Sequence, residues 1–144
     1  MEDYTIYTRK TKYYETDKMG IVHHSNYIRW LEECRIDFLS QIGLDYRKME
    51  EEGLLIPVLS SYCEYIVPVK FDDTVQIIPL VESFSGLKFE VSYEILSESG
   101  DILHSIGKTS HCFLNAEFKP VRLKKDYPYI YEELMKWVGQ KVNR

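Results

Sequence analysis

An acid, a glycine, two histidines and an asparagine fall within a short run: Asp17, Gly20, His23, His24 and Asn26. These side chains can act on a carbonyl. A carboxylate takes a proton from water or attacks directly, and an imidazole carries protons or hydrogen-bonds a substrate. The residues that follow, Tyr27 to Ile42, are largely apolar and recur at helical spacing. The run therefore sets an acid beside the N-terminus of a helix, where main-chain N–H groups point outward without partners. A carboxylate next to free N–H donors is a minimal set for attacking a carbonyl and holding the charge that develops on its oxygen.

The elements that must position this set can be read on either side of it. Tyr4 to Tyr14, rich in Tyr and Thr, reads as a strand with a weak burial pattern. Gly20 breaks it, because glycine turns freely through positive φ. Ser25 or Asn26 is placed to cap the helix, without a capping box, since Ile28 and Arg29 stand three residues on. Tyr27, Leu31, Cys34, Phe38 and Ile42 form its apolar stripe, which Ile28, Trp30, Ile36 and Leu39 widen until the helix needs cover on several sides. Gly43 fits the C-terminal cap. From Asn26 to Gln41 the rod is about 24 Å long at ~1.5 Å per residue.

Beyond a charged short helix or turn at 45–53, the pattern changes to strands. Residues 54–69 are rich in strand formers, with Pro57 and Pro68 near the ends. Residues 68–73 read as a turn and 74–84 as a strand. Residues 87–96 alternate, with Leu87, Phe89, Val91, Tyr93 and Ile95 on one face. Turns at 85–86 and 97–101 join these to a last strand at 102–115, which predicts an antiparallel meander. Residues 116–126 read as a turn and a short extension. Asp126 and Pro128 then open a C-terminal helix carrying Ile130, Leu134, Trp137 and Val138, expected to lie outside the sheet. The class is α+β, in one domain over residues 1–144: a sheet curved around one long helix. Its edges and outer face call for cover, which predicts pairing of two copies edge to edge.

Composition limits the function. The net charge of −5 argues against a nucleic-acid surface but leaves room for a local basic patch that holds a nucleotide phosphate. Cys34, Cys63 and Cys112 are odd in number and widely spaced, so neither a disulfide framework nor a zinc site is expected, and a reducing compartment is. Cys34 and Cys112 read as core thiols, His104 as a surface residue, and His111 as able to face a pocket. The acidic start, Met1-Glu2-Asp3-Tyr4, has no signal pattern, and no run approaches the roughly 20 apolar residues of a membrane span. A cytoplasmic protein is expected.

The stretch Asp17-Lys18-Met19-Gly20-Ile21-Val22-His23-His24-Ser25-Asn26-Tyr27 resembles the signature of hot-dog-fold thioesterases of the 4-hydroxybenzoyl-CoA thioesterase type, including the bacterial acyl-CoA thioesterases associated with the Tol-Pal operon. Phe71-Asp72-Asp73 stands where that family tends to have an aromatic-Gly-Asp turn, so Asp72 departs from the pattern. The resemblance implies a hot-dog fold, an antiparallel sheet of about five strands wrapped around one central helix. It also implies hydrolysis of acyl-CoA thioesters without a cofactor or metal. Asp17 acts on the thioester as general base or nucleophile, and the N–H of His24 holds the oxyanion, its imidazole being a possible helper. Tyr14, Gly20, His23 and Asn26 shape the site and bind substrate. Lys70, Lys88, Lys108, Lys119 and Arg122 are candidates for the CoA phosphates, and a homodimer assembling further into a tetramer is expected. Three rivals stand beside this reading. They are a carrier-protein thioesterase, a dehydratase using His24 with Glu32 or Glu33, and an acyl-CoA binding module without turnover.

Overall fold

Alternating burial along residues 74–112 builds the centre of the sheet, and the remaining elements attach to it. The computed structural model describes residues 3–142; the expected absence of a signal pattern at Met1 and Glu2 lies outside them. The elements in order are β1 (Tyr7–Lys10), a single 3-10 turn (Tyr13–Glu15), α1 (Ser25–Gln41), α2 (Tyr46–Glu51), β2 (Val58–Tyr65), β3 (Thr74–Phe84), β4 (Lys88–Ser97), β5 (Leu103–Cys112), α3 (Leu123–Asp126) and α4 (Pro128–Trp137). The five strands form one antiparallel sheet in the order β1-β3-β4-β5-β2.

Strands β3, β4 and β5 make the expected meander. Val75, Ile77, Val81, Phe89, Val91, Tyr93 and Ile95 are buried, and they face α1. Pro79 sits inside β3, yet β1 pairs only with residues 74–77. Pro79 therefore has a strand on one side alone, where a missing N–H costs no ladder bond. The first strand is much shorter than the expected Tyr4–Tyr14. It stops at Lys10, and the chain tightens into the 3-10 turn before reaching Asp17. β2 is likewise trimmed to the middle of the expected 54–69.

Helix α1 lies across the sheet with Trp30, Leu31, Cys34 and Phe38 buried, while Arg29 and Glu32 are exposed and Ile28 and Ile36 half-buried. Neither Ser25 nor Asn26 caps it. His24 takes the cap position without a side-chain bond, and the Nδ1 of His23 accepts from the Ser25 N–H at 3.2 Å. At the far end Gly43 takes φ +90°, the left-handed geometry expected of it. Helix α4 does not lie apart from the core. Ile130 and Leu134 are fully buried, and Trp137 meets Phe38 of α1 edge-on, 5.5 Å between centroids. Asp72 keeps a turn that glycine would make easily. It adopts φ +73°, and Asp73 Oδ2 accepts from the Lys70 N–H at 3.0 Å. Short polar side chains tolerate this region better than others.

Helix and sheet approach closely at Gly107 of β5. A Cβ there would stand 2.6 Å from Leu31 Cδ1 and 3.3 Å from the Tyr62 carbonyl oxygen. Gly107→Ala should therefore push α1 off the sheet and cost about 1–3 kcal/mol. The expected readout is a lower denaturant midpoint at unchanged slope.

Candidate active site

The acid and the helix start are joined by a small hairpin. Thr16 bridges Val22, the Asp17 N–H donates to the Ile21 carbonyl at 2.9 Å, and the Gly20 N–H donates to the Asp17 carbonyl at 3.0 Å. Gly20 holds φ +77°, which closes the turn. The Asp17 carboxylate accepts from the Met19 N–H at 2.8 Å through Oδ1, its one hydrogen bond among the described residues. The hairpin is fixed to the sheet side by the Val22 N–H donating to the Val69 carbonyl at 2.8 Å. At the helix start the N–H groups of His23, Ser25, Asn26 and Tyr27 all find acceptors, whereas that of His24 has none among the described residues. The two imidazoles stack with centroids 4.2 Å apart.

Beneath this surface lies Glu15, which the sequence reading passed over. It is 3% exposed. Its Oε1 accepts from Arg9 Nη1 at 2.6 Å and from the Lys12 N–H at 2.8 Å, and its Oε2 accepts from Trp30 Nε1 at 2.9 Å. Burial works to raise the carboxyl pKa, but the bonds from Arg9, Trp30 and Lys12 outweigh it and hold the group below the usual carboxylate range. Arg9 also reaches Glu33 Oε1 at 2.6 Å, and Tyr7 donates to the same oxygen at 2.8 Å. The signals for Glu15 were indirect: a buried Trp whose N–H needs an acceptor, and an Arg facing inward on a short strand.

Asp17 stands between two clefts. The narrower, about 220 Å³, is walled by Ile21, His24, Tyr27, Tyr65, Ile66 and Pro68 besides Asp17 itself. The wider, about 850 Å³, is an open groove lined by Tyr13, Tyr14, Lys18, His23, Asn26 and Arg29. So Asp17 and the residue His24 share the narrow cleft, and Tyr14, His23 and Asn26 meet Asp17 in the wide one. Asn26 is itself buried, and its Nδ2 donates to the Glu15 carbonyl at 2.9 Å. Gly20 shapes the turn and lines neither cleft. Tyr27, Tyr65 and Ile66 as cleft walls were not foreseen, since their placement depends on β2 ending beside α1. Lys70, Lys88, Lys108, Lys119 and Arg122 line neither cleft, and Lys108 is engaged with Glu90. Glu33 is held by Arg9 and Tyr7 and lies on neither cleft, as does the exposed Glu32. The acid partner that a dehydratase reading needs is therefore not brought to His24.

Comparison with known proteins decides the family. The sequence profile of the thioesterase-like superfamily matches residues 11–138. The chain belongs to that superfamily. A DHNA-CoA thioesterase from Staphylococcus aureus superposes with a TM-score of 0.87 at 34% identity, over 92% of this chain and 89% of that one. A hypothetical protein from Aquifex aeolicus superposes with a TM-score of 0.82 at 38% identity, over 90% of this chain and 98% of that one. A 1,4-dihydroxy-2-naphthoyl-CoA hydrolase from Thermosynechococcus vestitus is 27% identical over 109 residues, 75% of this chain and 74% of its own. The architecture is accordingly the hot-dog fold, with α1 as the filling. Among the described residues no group of three or more His, Cys, Asp or Glu is placed to hold a metal ion.

The other histidines are interior residues of this thioesterase fold. His104 is buried, not on the surface, with Nδ1 2.9 Å from the Val67 carbonyl. His111 lines none of these clefts. It is fully buried, stacked on Phe89 at 4.8 Å, with Nε2 2.8 Å from Thr109 Oγ1. Burial, and secondly the charge of Arg35, push its pKa from 6.5 down to about 3. It is thus neutral in the folded chain while the unfolded chain takes up a proton below 6.5, so its contribution is complete above that pH and is lost as pH falls toward about 3. Denaturant midpoints should decline across this window, and His111→Phe should flatten the decline. An unchanged slope would assign the acid sensitivity to another group.

Proposed function

We infer that this chain hydrolyses acyl-CoA thioesters to the free acid and CoA, with all of residues 1–144 acting as one catalytic domain. The observation that carries this reading is that one cleft is lined by both Asp17, whose carboxylate accepts a single hydrogen bond, and His24, whose N–H has no acceptor among the described residues. A thioester is already an activated acyl group, so attack needs one base or nucleophile and one oriented donor for the oxyanion. Asp17 supplies the first. It removes a proton from water as water attacks the carbonyl carbon, or attacks that carbon itself to give an anhydride that water then opens. The His24 N–H supplies the second, aided by the partial positive charge at the start of α1. Collapse of the tetrahedral intermediate expels the CoA sulfur. Labelled oxygen from water entering Asp17 during a single turnover separates the two routes.

The two clefts divide the substrate. The narrow one, with its aromatic and aliphatic walls, takes the acyl group, and the wide one takes the CoA arm. Lys18 and Arg29 in the wide cleft make no ion pair among the described residues. They are free to meet phosphate. Tyr13 and Tyr14, each 76% exposed, offer faces to the nucleotide. His23 borders this groove, Gly20 sets the turn that aims Asp17, and Asn26 holds the loop.

Two copies pair through β2. This strand is one edge of the sheet, eight residues long against four for β1 at the other edge, and it exposes Val58, Leu59, Tyr62 and Tyr65. A long apolar edge without a partner invites strand addition. Such dimers associate further into tetramers through the outer face of the sheet, where Ile78, Leu80 and Ile106 stay half-buried. No helix among the described residues is long and apolar enough to cross a membrane. All three cysteines are free, which supports a reducing compartment such as the cytoplasm.

Thiol release from a panel of acyl-CoA thioesters tests the reaction. Wild type should turn over at least one, and Asp17→Asn should lose roughly 100-fold or more in kcat. Arg29→Ala should raise KM for CoA thioesters several-fold at little change in kcat. Equal rates for wild type and Asp17→Asn would remove Asp17 from the chemistry, and binding without turnover would favour an acyl-CoA binding module. Sedimentation should give a mass of at least twice the 17.1 kDa of one chain.

A further inference from the structure

The two groups assigned to the reaction sit on one loop, and both ends of that loop hang on a residue that lines neither cleft. The 3-10 turn Tyr13–Glu15 is too short to hold its own position. Its last residue does the holding. Through its side chain Glu15 grips Trp30 in the second turn of α1, Arg9 on β1, and the Lys12 N–H at the start of its own turn. Through its main-chain carbonyl it accepts from the His23 N–H at 2.8 Å and from Asn26 Nδ2 at 2.9 Å. Asp17 lies two residues after Glu15, and His24 follows directly on His23. One residue thus fastens the carboxylate side of the loop to the body of the helix and the donor side to the same point.

We propose that Glu15 is a positioning residue, which sets the Asp17 carboxylate against the His24 N–H. This rests on the reading of Asp17 as the group that acts on the thioester. Glu15 reaches no substrate. Its carboxylate is spent on three protein donors, and its carbonyl on two more. The loop between its two anchored ends, residues 16–22, is held elsewhere by backbone bonds of a small hairpin and by the bond from Val22 to Val69. Those bonds fix the shape of the hairpin and its seat on the sheet side. The link from hairpin to helix runs through Glu15, and it is the helix that carries His24.

The arrangement also makes the role testable without unfolding the chain. In Glu15→Gln the amide keeps the shape of the side chain but loses the charge, and its NH2 faces a donor, either Arg9 or Trp30. The mismatch must be relieved by moving the turn. Arg9 is not left as an unpaired buried cation, because Glu33 still holds its Nε. The disturbance is therefore local to the turn and passes to the loop. Trp30→Phe removes the Nε1–H donor and part of the indole on which Arg9 stacks, keeps an aromatic ring in the core, and leaves the Arg9–Glu15 ion pair in place.

The experiment measures kcat and KM for a hydrolysed CoA thioester with Glu15→Gln and Trp30→Phe, each alone and combined with Asp17→Asn. A non-hydrolysable CoA thioether reports binding in parallel. Glu15→Gln should lower kcat roughly 100-fold, the cost of a displacement on the order of 1 Å, with KM and thioether affinity within about threefold. Trp30→Phe should lower kcat about tenfold. Neither should slow the residual rate of Asp17→Asn, because residues that act as a unit are non-additive. A purely structural role would lower the melting temperature but leave the kcat of folded protein unchanged. That result overturns the proposal, as does a multiplicative loss on top of Asp17→Asn, or a change in KM alone. If Glu15→Gln does not fold, Trp30→Phe decides by the same criteria. No turnover by wild type overturns the reading of the reaction and this role with it. An active wild type, a dead Asp17→Asn and an unaffected Glu15→Gln overturn the role of Glu15 alone.

Discussion

A buried carboxylate must be paired and fully hydrogen-bonded, or it takes up a proton. Glu15 meets that condition with a guanidinium, an indole N–H and a main-chain N–H. Meeting it constrains a good deal else. Arg9 has to face inward, which fixes the phase of β1. Trp30 has to present Nε1 toward the turn, which fixes the rotation of α1 about its axis. The chain after Lys10 has to leave the sheet so that Glu15 can turn under the helix, and so β1 is four residues long and no more. Such pairs contribute little net stability against a well-packed apolar replacement, because desolvation offsets most of the attraction. What this one supplies is a unique relation between an edge strand, a helix and the loop that joins them.

The second constraint is the distance between helix and sheet. Leu31 packs onto Gly107, the one position in β5 where the absence of a side chain lets α1 come close. With the helix seated there, its first turn reaches the end of the sheet where β2 finishes and β3 starts. Tyr27 and Tyr65 then meet at 4.9 Å between centroids. The narrow cleft is the gap left between that aromatic pair and the hairpin carrying Asp17. The location of the site thus follows from packing at a glycine two turns away from it.

Particular residues show where the sequence was legible. β3, β4 and β5 are open to inspection because their burial alternates, and α1 because its apolar positions recur every three or four residues. Asp17, His24, Tyr14, His23 and Asn26 sit close together along the chain, and the fold keeps them together on two adjoining clefts. Period says which face of a strand is buried but not what the strand pairs with, so Tyr4–Tyr14 looked like one strand when only its middle finds a partner. Glu15 did not stand out because the groups that make its burial tolerable, Arg9 and Trp30, come from two other elements. His104 and His111 are buried polar residues of β5, and only the structure shows their hydrogen-bond partners, the Val67 carbonyl and Thr109 Oγ1. Lys18 and Arg29 border the wide cleft, whereas the basic residues on the sheet and its turns lie elsewhere. A cation's usefulness to a phosphate depends on which groove it overlooks, and that is set by the hairpin at Gly20.

On the proposed reaction, the placement of Asp17 at the wall between two clefts bears on why one carboxylate would suffice. A triad spends a histidine and a second acid on making a poor nucleophile reactive toward a poor electrophile. Here the electrophile is already activated, and the demand falls on geometry. On one side of Asp17 the walls are aromatic and aliphatic, so an acyl group entering there sheds water and leaves its carbonyl at the boundary. On the other side the groove is open and carries Lys18 and Arg29, unpaired among the described residues, which suits a long, charged leaving group. On the proposed reading, the reacting carbon would be held at the seam by unlike halves of one molecule, each drawn to its own medium. The carboxylate stands at that seam, with one lone N–H, that of Met19, keeping it oriented and the rest of its oxygens available. On that reading the rate would depend on how steadily the hairpin holds the seam against the helix start.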